Sequence, residues 1–167
     1  MKKIVFITLS LLLAVSFWNC EKDDICAEGT PTTPRVIIEF YDDANPTVLK
    51  NVTNLKVTES VQTEGFAFNG VSKIQVPLRT NDNQTILHFT ANGDDSDITN
   101  DNLDEITFNY ATQEVYISRA CGYKMTFQLN TTDGTVLTTD TNNWIQNIVI
   151  SQPNIENENE IHVKIYF

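Results

Sequence analysis

From Arg35 onward the chain alternates between apolar and polar positions. Val36, Ile38 and Phe40 share one parity, and Ile37, Glu39 and Tyr41 the other. Ile74, Val76 and Leu78 alternate with Lys73, Gln75 and Pro77, and Leu87 and Phe89 with His88 and Thr90. The same holds for Ile106, Phe108 and Tyr110 with Thr107 and Asn109, and for Ile161, Val163, Ile165 and Phe167 with His162, Lys164 and Tyr166. A period of two marks a strand with one face on a core, because successive side chains leave the pleated backbone on opposite sides. Polar clusters at 42–46, 80–84, 92–102, 131–134 and 152–159 separate the runs as turns. No segment has a convincing helical period. The pattern predicts an all-β protein, a single antiparallel β-sandwich of roughly seven to nine strands.

Two details refine this. Val115, Ile117, Cys121, Tyr123, Met125, Phe127 and Leu129 all occupy odd positions across Gly122. That predicts one long strand over 115–129, bent at Gly122, with a constant inward face. Arg119 would share that face and need a partner or an edge. Pro77 cannot donate to a ladder, so its strand should lie at a sheet edge or stop there.

Before the alternating region the chain changes character. Lys2 and Lys3 precede an apolar run from Ile4 to Val15, broken by Thr8 and Ser10. This is the layout of a secretory signal peptide, and the run falls short of the about 20 residues of a spanning helix. Cys20 follows Phe17, Trp18 and Asn19 in place of the small residues of an ordinary cleavage site. The arrangement resembles a bacterial lipoprotein signal, in which the cysteine becomes the first mature residue and carries lipid. The alternative is a free or disulfide-bonded cysteine beside a plain signal peptide. Lys22, Asp23 and Asp24 resemble the surface-export signal of Bacteroidota lipoproteins; a solvated linker is the other reading of the same charges. The stretch 29–34, Gly-Thr-Pro-Thr-Thr-Pro, reads as a flexible tether. The expected organisation is a signal peptide at 1–19, a lipidated tether at 20–34 and a β-sandwich domain at 35–167.

The stretches IIEFYDDANP, ACGYKMTFQL and ENENEIHVKIYF resemble a family of small Bacteroidota (flavobacterial) lipoproteins of unknown function. The resemblance covers nearly the whole mature region. It implies an outer-membrane location, lipid-anchored and facing outward, and an all-β fold, and it brings no catalytic residue with it.

Charge narrows the partners. All 22 acidic residues follow Cys20, whereas Lys2 and Lys3 are two of the 11 basic ones, so the mature chain has a net charge near −13. Nucleic-acid binders need a basic footprint, which excludes that class. Electrostatic docking of the whole molecule on anionic lipid is equally disfavoured. Attachment would fall to acyl chains, each buried methylene contributing about 0.8 kcal/mol.

Candidate chemistry is sparse. His88 and His162 lie opposite the apolar faces of their strands and should be exposed or locally hydrogen-bonded. There is no Cys-x-x-Cys, nucleophile elbow, phosphate loop or zinc-protease motif, so no cofactor is expected. Asp95, Asp97 and Asp101, with Thr99 between them, are spaced two apart as oxygen ligands for calcium could be. However, Asn100 and Ile106 stand where a calcium loop needs its glycine and glutamate, and a solvated turn explains the segment equally. Trp144 is either a core residue or a sugar-stacking platform. Cys26 and Cys121, the thiols left once Cys20 is lipidated, should form a disulfide in an oxidising compartment; two buried free thiols are the alternative. Two function classes follow. One is an outer-membrane-anchored, non-catalytic surface lipoprotein, a binding or accessory module with a protein or glycan partner. The other is a glycan-active hydrolase or carbohydrate-binding component of a surface complex. A deep pocket with two perturbed carboxylates would favour the hydrolase, and a flat aromatic patch would favour binding.

Overall fold

The computed structural model describes residues 3–5, 8 and 25–167. Cys20, Lys22, Asp23 and Asp24 therefore lie outside the described residues. Among those described, no helix is long and apolar enough to cross a membrane.

The described residues form eleven strands: β1 (Val36–Tyr41), β2 (Leu55–Glu59), β3 (Gly65–Phe68), β4 (Lys73–Val76), β5 (Gln84–Ala91), β6 (Asn102–Ser118), β7 (Gly122–Leu129), β8 (Thr135–Leu137), β9 (Asn147–Ile150), β10 (Asn154–Ile155) and β11 (Val163–Tyr166). The smaller sheet has the order β4-β1-β11-β9. The larger runs β10-β7-β6-β5-β2-β3, with β8 also pairing with β6. Val36, Ile38, Phe40, Ile74, Val76, Val163 and Ile165 of the first sheet join Leu55, Val57, Leu87, Phe89, Ile106, Phe108 and Tyr110 of the second in one buried cluster. Each large apolar side chain buried this way stabilises the fold by about 1.5–3 kcal/mol. The alternating parity is thus the parity of the core, as expected for a sandwich.

The strand count exceeds the seven to nine expected. Two extra strands are very short, β8 with three residues and β10 with two. The hairpin of β2 and β3 gave no long alternating run. One pairing is not antiparallel: β11 inserts beside β1 in parallel register, Ile38 opposite Val163 and Phe40 opposite Ile165. Alternation reports which face is buried and says nothing of a partner's direction. Pro77 behaves as expected, since β4 is an edge strand and stops at Val76.

The single bent strand over 115–129 is a hairpin instead. β6 ends at Ser118 and β7 begins at Gly122, whose φ is +70°. Tyr110 lies opposite Leu129, Thr112 opposite Phe127, Glu114 opposite Met125 and Tyr116 opposite Tyr123, with an irregularity between Tyr116 and Ser118. Cross-strand pairs share a face, so even positions before the turn match odd positions after it. Val115 and Ile117 therefore oppose the face of Tyr123 and Phe127. Arg119 lies exposed in the turn and needs no buried partner.

The part of the tether that is described, 25–34, forms no strand and is fastened to the sandwich. Cys26 is disulfide-bonded to Cys121, their α-carbons 4.8 Å apart. Met125 donates its backbone N–H to Thr33 Oγ1 at 3.0 Å. At the entry to β1, Arg35 grips Glu158 with Nε to Oε1 at 2.8 Å and Nη2 to Oε2 at 2.7 Å.

Candidate functional site

The two sheets meet imperfectly where the β2–β3 hairpin, the edge of the larger sheet, approaches the end of β4, the edge of the smaller. The opening is a cleft of about 290 Å³. Val57, Val76, Leu78 and Leu87, all buried, form its floor, and Glu59, Gln62, Glu64, Phe66 and Arg79 its rim. Phe66 is 49% exposed there. Gly65 permits this geometry: a β-carbon at that position would lie 2.1 Å from the Val57 carbonyl oxygen, so only glycine lets β3 close onto β2.

One wall is a closed polar circuit. Arg79 N–H donates to Thr85 Oγ1 at 2.9 Å, and Tyr110 Oη–H donates to the Arg79 carbonyl at 2.9 Å. The Thr85 and Tyr110 hydroxyl oxygens are 2.6 Å apart. Because the Tyr110 proton is committed to the carbonyl, Thr85 is the donor between them. Burial raises the Tyr110 pKa, keeping the phenol neutral. Arg79 also forms an ion pair with Glu59 and reaches Asp82 at 3.5 Å. The Glu59 guanidinium contact raises the Arg79 pKa, so this cation is permanently charged. An apolar floor with a fixed cation and carboxylates at the rim can hold a small apolar group that ends in a polar one. The Glu59 carboxylate is already occupied by Arg79, which is not the layout of a free acid and base facing each other.

The residues singled out in the sequence fall elsewhere. Trp144 is half-buried against the core: it donates Nε1–H to the Phe89 carbonyl at 3.0 Å and packs edge-on against Phe167 at 5.3 Å. His88 Nε2 lies 3.1 Å from Glu105 Oε2. His162 is only 1% exposed, and its Nδ1 accepts the Ile37 N–H at 2.9 Å; it is locally hydrogen-bonded and not exposed. Desolvation pushes its pKa down, against weaker upward pulls from Glu160 and Glu158. Asp95 and Asp97 cap their own turn, accepting N–H bonds from Asp97 at 2.8 Å and Thr99 at 3.1 Å. Asp101 is exposed beyond them. Among the described residues, no three His, Cys, Asp or Glu side chains gather as a metal site.

The family model for DUF6452, a family of unknown function, matches residues 50–167. The chain belongs to this family. No curated protein and no solved structure matches it. The DUF6452 span takes in the entire cleft, from Val57 to Leu87, together with Cys121, and begins after β1 and Cys26.

Sequence reasoning missed the cleft residues. Leu55 and Val57 do alternate, and Phe66 and Phe68 follow, but the Glu59–Arg79 pair joins the end of β2 to the loop between β4 and β5 and left no spacing to find. Asp104 was missed too. It is 1% exposed, its Oδ2 accepts the Ile145 N–H at 2.7 Å, and burial raises its pKa. In this DUF6452 chain it fastens the loop before β9 to β6.

Proposed function

We propose that this chain is a lipoprotein of the bacterial outer membrane, anchored through Cys20 and facing outward. It acts without catalysis, as a binding or accessory module whose cleft beside Arg79 receives a small apolar group of a partner. The observation that carries the reading is the Cys26–Cys121 bridge. Disulfides persist in oxidising compartments outside the cytosol. This one fastens to the sandwich the segment that starts six residues earlier at Cys20, where a lipidated cysteine would need its domain secured.

The test is the N-terminus of the protein isolated from membranes. Mass spectrometry should find Cys20 as the first residue, carrying acyl chains, and Cys20→Ala should abolish membrane partition or maturation. A mature N-terminus elsewhere, or an unmodified Cys20, overturns the anchor. Replacing Lys22, Asp23 and Asp24 by Ala should leave acylation intact yet shield the protein from protease added to whole cells. Unchanged cleavage would reduce these three residues to linker.

A further inference from the structure

The distal half of the β6–β7 hairpin leaves the sandwich. As far as Asn109, β6 is paired with β5, and Ile106 to Phe108 also with β8; beyond it, β6 pairs with β7 alone. Residues 111–118 are accordingly exposed or half-buried. The end of this ribbon is nonetheless aromatic. Tyr116 and Tyr123 face each other across it with ring centroids 5.2 Å apart, yet they are 56% and 64% exposed. Ile25, which lines the same shallow hollow as Tyr116 and Cys121, is 79% exposed. Tyrosine joins an apolar body to a polar end, which is why it gathers where hydrocarbon meets water. From Val115 to Met125 there are two cations, Arg119 and Lys124, and no acid, in a chain of net charge −11. This stretch of the hairpin is therefore both free of acid and aromatic at its end.

The bridge supplies an independent argument. It fixes Cys26 to Cys121 at the hairpin tip. The six residues from Cys20 to Cys26 span about 20 Å at full extension, against about 50 Å for a leash running free to Arg35. Acyl chains on Cys20 would thus keep the tip within about 20 Å of the lipid, a shorter reach than a leash ending at Arg35 would give. Asp104 and Trp144, at the opposite end of β6, stand about 40 Å from Tyr116 along the strand.

We propose that the tip of the β6–β7 hairpin, with Tyr116, Tyr123 and Ile25, docks on the lipid surface that holds the Cys20 anchor and stands the sandwich upright on it. This rests on Cys20 being the anchor, so the test supplies an anchor of its own. A chain beginning at Cys20 contains every core residue and both bridged cysteines, and Cys20 is then its single free thiol. That thiol is coupled to a maleimide lipid in phosphatidylcholine vesicles. Trp144 is the only tryptophan after Cys20 and serves as the distant reference. In vesicles of lipid brominated near the headgroup, the emission added by Tyr123→Trp should be quenched while that of Trp144 is not. Replacing Cys26 and Cys121 by Ser should weaken the quenching by restoring the long leash. Equal emission of Tyr123→Trp in brominated and ordinary vesicles overturns the docking, as does equal quenching of both tryptophans. The anchor fails separately, on the mass of the Cys20 peptide from cells.

Discussion

His162 shows how one buried side chain ties two distant strands. Its ring Nδ1 accepts the Ile37 amide N–H, while its backbone N–H donates to the Ile37 carbonyl at 3.0 Å. Because burial lowers its pKa below the ordinary 6.5, the unfolded chain takes up a proton before the folded one does. Stability should therefore fall as pH drops below about 6.5 and level off once the folded state also protonates. His162→Asn keeps an acceptor for Ile37 but cannot titrate in this range. Urea midpoints measured from pH 7.5 to 5 should show a shallower decline for the variant; parallel curves would refute the assignment. Burial of His162 was not legible, since its parity placed it opposite the core. That face is covered locally, as the neighbouring Ile37, 2% exposed, also shows. The Cys26–Cys121 bond was legible on the expectation that Cys20 carries lipid, because the other two thiols then leave one pairing. Closing a loop of 95 residues, it stabilises the fold by about 4–5 kcal/mol in the chain-entropy picture, an upper figure.

The β6–β7 hairpin turns on Gly122. Its φ of +70° is one that an L side chain adopts only under strain, and a β-carbon there would meet nothing within 4 Å. Gly122→Ala should therefore cost about 1–2 kcal/mol from the backbone alone, read as a lower thermal midpoint with the bridge still formed. A cost near zero would mean that the turn relaxes to another conformation. The break at Gly122 was visible in the sequence, but its nature was not. A bend and a reversal both interrupt a strand at glycine, and counting parity through the gap presumes that the chain keeps its direction. The cleft escaped notice for a related reason: its floor comes from core residues of both sheets, and its rim from edges that only packing brings together.

At the scale of the molecule, the all-β sandwich was legible because burial on one face imposes a period that any sequence must display. Strand partnership was not, because it is decided between residues far apart. β11 illustrates this: it is the last of the eleven strands, yet it occupies an inner place in its sheet, between β1 and β9. Ile37 waits for His162 across 125 residues. A chain ended after His162 should leave β1 and β9 without their shared neighbour and lose cooperative unfolding; a sharp two-state transition in that truncated chain would disprove this. The same placement has a consequence in time. A ribosome makes β1 more than a hundred residues before β11, at some 5–20 residues per second, so the smaller sheet cannot close until well after β1 has been made. Such non-local closure also makes refolding slow, in the range of milliseconds to seconds. Until β11 arrives, β1 and β9 have nothing to bridge them and the smaller sheet stays open.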